Sequence, residues 1–353
     1  MERIRIKDIA KLAQVSVGTV DRVLHGRSGV SEASRKRVEE ILERLHYRPN
    51  MYASALASNR CYAFDCLLPQ HDDGEYWTEV QQGIQQAVQS YSDFNIDVRI
   101  SYYDPFDYRS FAQAAAAILE RKPDGVLFAP TAPAYSKPFT DELGQQHIPY
   151  IYIDSNIPEE PALSFFGQNS YQSGYFAARM LMLLEGGQAQ EVAIFRKINE
   201  GIVGSNQQER REIGFRTYMS QHHPSCTIWE LDLHAKRNSE DTRMLDQFFA
   251  EHPHIASGIT FNSKAHIVGD FLLRTNRRGV QIMGYDMVEK NANCVKLGSI
   301  SFLIAQHGYM QGYSCIESLF EAIVLKKKVN PVNYVPIELL TKENVDFYRR
   351  TQL

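Results

Sequence analysis

The sequence lacks the marks of several protein classes. Its 353 residues hold five cysteines, Cys61, Cys66, Cys226, Cys294 and Cys315, and none stands in a CxxC or Cys/His ligand spacing. An odd, scattered set argues against a disulfide framework and against a structural zinc site; it fits buried thiols in a reducing cytoplasm. No apolar run approaches the roughly 20 residues that cross a bilayer. No apolar segment follows the first Met, so neither a membrane helix nor a secretory leader is expected. There is no GxGxxG after a first strand, no GxxxxGK(S/T), no HExxH and no GxSxG. With no nucleophile or cofactor motif, the chain does not read as an enzyme, and no metal or cofactor is expected. His222-His223 reads as a helix end, not a metal pair.

Charge is mixed, and its distribution is uneven. Residues 1–60 carry 12 Lys and Arg against 7 Asp and Glu; the remainder carries 26 against 35, for a net charge of −4. A basic first segment on an acidic body points to a polyanion partner for the first segment alone.

In that segment Ile6, Ile9, Ala10 and Ala13 recur at helical spacing, which predicts a helix over 6–13. "AQVS" breaks it, and the Ser16 hydroxyl can cap the next helix, which buries Val20, Val23 and Leu24. Gly26 and Gly29 frame a loop. Ser31 caps a third helix with Val38, Ile41, Leu42 and Leu45 inward, and Pro49 stops it. Three short helices with a tight turn between the first two make a helix-turn-helix, whose second helix enters the major groove by its N-terminal end. Val17 and Gly18 permit close approach, Val17 can touch a thymine methyl, Thr19 can bond a phosphate, and Arg22 can reach guanine with two hydrogen bonds. Asp21 sits awkwardly against phosphate; orienting a basic neighbour, Arg22, is the preferred reading.

The run "IKDIAKLAQVSVGTVDRVL" followed by "VSEASRKRVEEILERLHYRPN" closely resembles the DNA-binding headpiece of the lactose-repressor (LacI) family. Asp8, Ile9, Ala10, Ala13, Val15 and Ser16 meet its first motif. Thr19, Val20, Arg22, Val23 and Leu24 meet its second, and Tyr47, Arg48, Pro49 and Asn50 its last. Arg5 and Asp21 depart from the family's Thr and Ser, and Arg5 then reads as a phosphate contact. The resemblance implies that residues 50–61 form a hinge helix which orders on DNA, through Asn50, Ala53 and Leu56, with Leu56 wedged into the minor groove. A segment this short is not a stable helix alone in water.

From residue 62 the period changes. "AFDCLLP", "DVRISYYD", "GVLFAP" and "PYIYID" read as buried strands, separated by helices at Thr78–Tyr91, Tyr108–Lys122 and Ser136–His147. The pattern repeats with "EVAIFR", "TIWELDL", "GITFN" and "QIMGYD", and helices at Tyr171–Glu185, Glu209–His222, Asp241–His252 and Ala265–Thr275. Such alternation predicts parallel sheets in two α/β halves with a cleft between them, where ligand groups follow the strand ends. Asp104, Asp154 and Asp286 stand at such ends and suit a ligand rich in hydroxyls.

Residues 62–345 resemble the periplasmic-sugar-binding fold that the same family carries as its sensor. The resemblance implies effector contacts from Tyr76, Trp77, Asp154, Asn169, Arg211, Asn262, Asp286 and Gln306. Ser155 and Ser263 replace residues usual in sugar binders. The expected fold is thus a small all-α helix-turn-helix headpiece (1–49), a hinge (50–61) and an α/β two-lobed periplasmic-binding-protein-like body (62–353) of two doubly wound parallel sheets. Lobe 1 is expected over about 62–165 and 296–320, lobe 2 over 166–295 and 321–345. The expected function is a cytoplasmic, homodimeric transcription regulator, binding a pseudo-palindromic double-stranded operator under control of a carbohydrate effector. A non-catalytic solute-binding protein, or a sugar-modifying α/β enzyme, is the alternative.

Overall fold

The computed structural model describes residues 5–24, 27–45, 47, 51–56, 60–157, 160–187, 190–199, 202–203, 205–234 and 238–348. The chain divides into two compact units, Met1–Asn59 and Arg60–Leu353.

The first unit holds α1 (Ile6–Ala13), α2 (Val17–Leu24), α3 (Glu32–Arg44) and α4 (Met51–Leu56). The apolar positions that set the helical period are those that meet: Ile9, Ala10 and Ala13 of α1, Val20 and Val23 of α2, and Val38 and Ile41 of α3 form one core. Gln14 ends α1 in the left-handed region (φ 52°). Ser31 Oγ accepts from the Ser34 amide and starts α3. Gly26 and the motif residues Arg48, Pro49 and Asn50 lie outside the described residues, as does the side chain of Ala53.

The second unit is two α/β lobes. In the first, β1 (Tyr62–Pro69), α5 (Tyr76–Ser90), β2 (Ile96–Tyr103), α6 (Tyr108–Arg121), β3 (Gly125–Phe128), α7 (Pro133–Gln145), β4 (Tyr150–Ile153) and β5 (Ser164–Gly167) follow in order. The chain then crosses into the second lobe. There it forms α8 (Ser170–Leu184), β6 (Glu191–Asn199), β7 (Ile202–Val203), α9 (Asn206–His222), β8 (Thr227–His234), α10 (Asn238–Glu251), β9 (Ser257–Thr260), α11 (Ala265–Arg274), β10 (Gln281–Tyr285), α12 (Glu289–Leu297) and β11 (Phe302–Ala305). It returns for α13 (Gly308–Leu319) and β12 (Asn333–Tyr334), and crosses once more for β13 (Glu338–Leu340).

Among the described residues, the lobe 1 sheet runs β12-β5-β4-β3-β1-β2, every pairing parallel. The lobe 2 sheet runs β13-β11-β10-β9-β6-β7, with β8 also on β6. Only its β6–β7 and β11–β13 pairings are antiparallel. Helices cover both faces of such sheets, which is why strands such as β3 and β4 read as unbroken apolar runs. The expected lobe limits shift at the C-terminal side. β11 belongs to lobe 2, whereas α13, the π-turn Phe320–Val324 and β12 belong to lobe 1. Periodicity gave no warning, because β5, β11, β12 and β13 are four residues or fewer. The three crossings are tied at one point: buried Gln168 donates through Nε2 to the carbonyls of Ala305 and Pro336, 2.8 Å each.

Each lobe is also clamped by one close helix crossing. A Cβ on Gly174 of α8 would lie 1.8 Å from the Arg211 carbonyl oxygen of α9, and one on Gly214 of α9 would lie 2.0 Å from that of Tyr171 of α8. The same reciprocal contact joins α5 and α13, with Gly83 against Tyr309 (1.9 Å) and Gly312 against Val80 (2.1 Å). Only glycine permits backbones this near.

Candidate functional site

In the headpiece, the second helix begins as its residues require. Ser16 Oγ accepts from the Thr19 amide (3.1 Å) and lies 2.9 Å from the Thr19 hydroxyl, so Thr19 is also part of the cap. Val17, Gly18 and Arg22 are exposed on α2, while Val20 and Val23 face inward. The N-terminal end of α2 thus offers an apolar contact, a bare backbone and, one turn on, a guanidinium. Arg5 precedes α1, and its backbone N–H donates to Asp8 Oδ2 (2.8 Å). Asp21 pairs with Arg27, six residues on, across 3.2 Å. Leu56 of α4 is half exposed.

In the body, a cavity of about 960 Å³ opens between the lobes. Its walls are strand ends: His71 after β1, Asp104 after β2, Ala129 after β3 and Asp154 after β4 from lobe 1, with Asn262 after β9, Asp286 after β10 and Gln306 after β11 from lobe 2. This is the place that doubly wound sheets leave for a ligand. Seven of the eight expected effector residues line it: Tyr76, Trp77, Asp154, Arg211, Asn262, Asp286 and Gln306. Asn169 does not. Its side chain caps α8 by accepting from the Gln172 amide (3.1 Å).

Asp154 and Asp286 occupy matching places in the two lobes, one residue past a strand, and both adopt left-handed backbone (φ 69° and 70°). A non-glycine residue held there is strained, and such strain gathers at functional sites. Both carboxyls are buried. Burial pushes Asp154 up to about 6, partly offset by Arg211. It pushes Asp286 up to about 7, with Arg211 and the Gln306 hydrogen bond opposing and Asp154 adding to the rise.

Arg211 lies between them, only 1% exposed. Nη1 donates to the Phe261 carbonyl (2.8 Å), Nη2 donates to Gln306 Oε1, and the guanidinium lies 3.7 Å from the Tyr285 ring centre. Its Nε has no hydrogen-bond partner among the described residues, and the buried Tyr76 hydroxyl faces the Asp154 carboxyl. Gln306 donates to Asp286 Oδ1 (2.6 Å). Asn262 donates to Gln208 Oε1 (3.0 Å). Trp77 stands edge-on to Tyr76, ring centres 5.1 Å apart.

The sequence reading missed Gln207. Its Nε2 lies within bonding range of Asp154 Oδ1 (2.9 Å), the Asp154 carbonyl (3.1 Å) and Gln306 Oε1 (2.7 Å), and so joins the lobes. A Gln in the first turn of a helix carries no sequence signal. Glu75, Lys264, His266 and Lys290 on the cavity walls were missed for the same reason. The arrangement sets carboxylate acceptors and a planar donor beside aromatic faces, which is the chemistry that grips vicinal hydroxyls over an apolar ring face.

A family model for bacterial regulatory proteins of the lacI family matches residues 5–50, and one for a periplasmic binding protein domain matches residues 64–328. The probable HTH-type transcriptional repressor ExuR of Bacillus subtilis is 26% identical over 62% of this chain and 61% of its own length. Catabolite control protein A of Staphylococcus xylosus is 27% identical over 44% of this chain and 46% of its own. The chain therefore spans about half to three-fifths of these curated relatives. A crystal structure assigned to the LacI transcriptional regulators, from Bacteroides fragilis, is 56% identical, with a TM-score of 0.80 over 82% of this chain and 100% of that one. AraP, an arabinose binding protein from Geobacillus stearothermophilus, shares the fold of the body at 18% identity, with a TM-score of 0.62 over 82% of this chain and 100% of its own.

Proposed function

Since the chain belongs to the LacI family, with a periplasmic-binding-protein body behind a helix-turn-helix headpiece, we propose that it is a sequence-specific transcription regulator whose operator affinity is set by a sugar or sugar derivative in the interlobe cleft. The observation that carries this reading is the union in one chain of an exposed α2 N-terminus and a polar cavity built on strand ends. A solute-binding protein for transport needs no such headpiece.

In this reading Val17, Gly18, Thr19 and Arg22 face the major groove, Arg5 meets phosphate, and Asn50, Ala53 and Leu56 act at the minor groove. Two copies of the chain place two headpieces on a pseudo-palindrome, in the compartment that holds the DNA. The effector contacts are Tyr76, Trp77, Asp154, Arg211, Asn262, Asp286 and Gln306, joined by Gln207. A ligand that prefers one lobe arrangement shifts the population of that arrangement, and its effect on DNA is bounded by that preference.

The test has two stages. Genomic fragments retained by the purified protein identify the operator. A thermal-shift panel of pentoses, hexoses, uronic acids, polyols and sugar phosphates then identifies the effector; saturation at about 100 times Kd adds roughly 2.7 kcal/mol. The reading requires a sequence-selected operator whose retention changes with the stabilising compound. Absence of any selected sequence refutes it.

A further inference from the structure

The two walls of the cleft carry opposite charge. Lobe 1 presents Asp72, Asp73 and Glu75; lobe 2 presents Lys264, His266 and Lys290. One pair touches. The Lys264 ammonium forms an ion pair with Glu75 across the cleft, each side chain about one-quarter to one-third exposed (30% and 26%).

Lys264 is badly placed by its own lobe. It is the residue preceding α11, where the helix dipole disfavours a cation. Burial holds its pKa below the usual lysine value and neighbouring Lys290 adds to the fall, while Asp72 opposes them. His266 titrates below its ordinary value, chiefly through burial, with Lys264 and Lys290 contributing. The favourable carboxylates, Glu75 and Asp72, both belong to the other lobe. Glu75 itself stands at the start of α5, where a negative charge is welcome. When the lobes part, Lys264 loses its attractive partners and keeps its repulsive ones.

We propose that Glu75 and Lys264 form an electrostatic latch that holds the two lobes together before any effector binds, making them positioning residues for the sensing step. The latch does not depend on what the ligand is; its bearing on regulation rests on the reading above. Opposed walls of unlike charge favour closure as a whole, and the Glu75–Lys264 pair is where that attraction is concentrated. Where the lobes must part to admit a ligand the pair is broken, and it re-forms when they close, so its strength enters the ligand affinity.

The experiment measures the interlobe distance of the full, ligand-free chain by electron–electron resonance. Nitroxides are placed at exposed Glu142 and Glu251, with Cys61 and Cys226 changed to Ser. For a partly exposed pair, Glu75→Gln and Lys264→Met each raise the open-to-closed ratio about three- to five-fold. The double variant opens no further than either single one, because both remove the same interaction. Raising salt from about 50 to about 500 mM opens the wild type more than the double variant, which keeps only the weaker attraction of the remaining wall charges; this arm needs no folded single variant. Unchanged distances in both singles, effects that add in the double, or a salt response equal in wild type and double variant each overturn the latch. None of these outcomes bears on whether the protein binds an operator or a sugar.

Discussion

Gly174→Ala adds one methyl group where α8 meets α9. An added Cβ lies 1.8 Å from the Arg211 carbonyl oxygen, with the Arg211 carbonyl carbon and Cα at 2.6 and 2.8 Å. Real Cβ contacts stop near 3.0 Å, so the helices must separate by about 1.2 Å, and the obstacle is helix backbone with no rotamer to move. Overpacking typically costs about 1–3 kcal/mol, and a backbone obstacle puts this site at the upper end. Replacing a helical glycine with alanine returns up to about 1 kcal/mol of propensity. The net loss is about 2 kcal/mol, a fall of roughly 3 °C in Tm for a unit as large as Arg60–Leu353. Gly144 of α7 supplies the control, because nothing lies within 4 Å of its added Cβ. Gly144→Ala should raise Tm by about 1–2 °C. Gly174→Ala together with Gly214→Ala should cost less than the sum of the two, since one separation of α8 from α9 relieves both clashes. The assay is scanning calorimetry of the full chain with wild type, the three single variants and the double variant side by side. A Gly174→Ala transition equal to wild type, or a Gly144→Ala transition that falls as far, refutes the close-crossing argument.

Asp154 and Asp286 titrate at about 6 and 7 against an ordinary 3.8. The folded chain therefore holds these protons more tightly than the unfolded one, and stability from this source falls as pH rises from about 4 through 7. Thermal midpoints should decline between pH 5 and 7.5 in the wild type and less steeply in Asp286→Asn; parallel slopes refute the assignment. Arg22→Ala leaves the headpiece folded, since the side chain is exposed. It should weaken operator binding by about 1–3 kcal/mol in a mobility-shift titration, with relaxed base preference at one position; equal loss on every sequence would make Arg22 a phosphate contact instead. Asp21→Asn removes an exposed ion pair to Arg27 and should shift headpiece stability by less than about 1 kcal/mol, while tightening DNA binding at low salt by removing a negative charge. Trp77→Ala should weaken the identified sugar at least ten-fold while leaving operator binding without sugar unchanged, as read by calorimetry and mobility shift; undiminished sugar affinity removes Trp77 from the site.

Much of this protein is legible in one dimension because the signals are local. Helical spacing places Ile9, Ala13, Val20, Val23 and Val38 in one core, and a serine before each of two apolar periods marks where α2 and α3 start. Carboxylates just past apolar strands pointed to Asp154 and Asp286, and these stand on the cavity wall. Asn169 shows the limit of that logic. It neighbours Gln168, which ties the lobe crossings, yet its own side chain is spent on the first turn of α8. Asp21 shows the same limit at shorter range, because its pairing with Arg27, six residues on, follows no helical or strand period.

By itself, the order of residues determined the helix-turn-helix, the alternation of strand and helix, and the asymmetry of charge between the two units. All three are properties of neighbours within a few turns of chain. Only the tertiary structure decided which lobe takes each C-terminal segment, that Gln207 reaches Asp154, and that Glu75 meets Lys264. The last pair is 189 residues apart. No local propensity encodes such a contact; it exists because two separately folded sheets, joined by three crossings, present their strand ends to the same space.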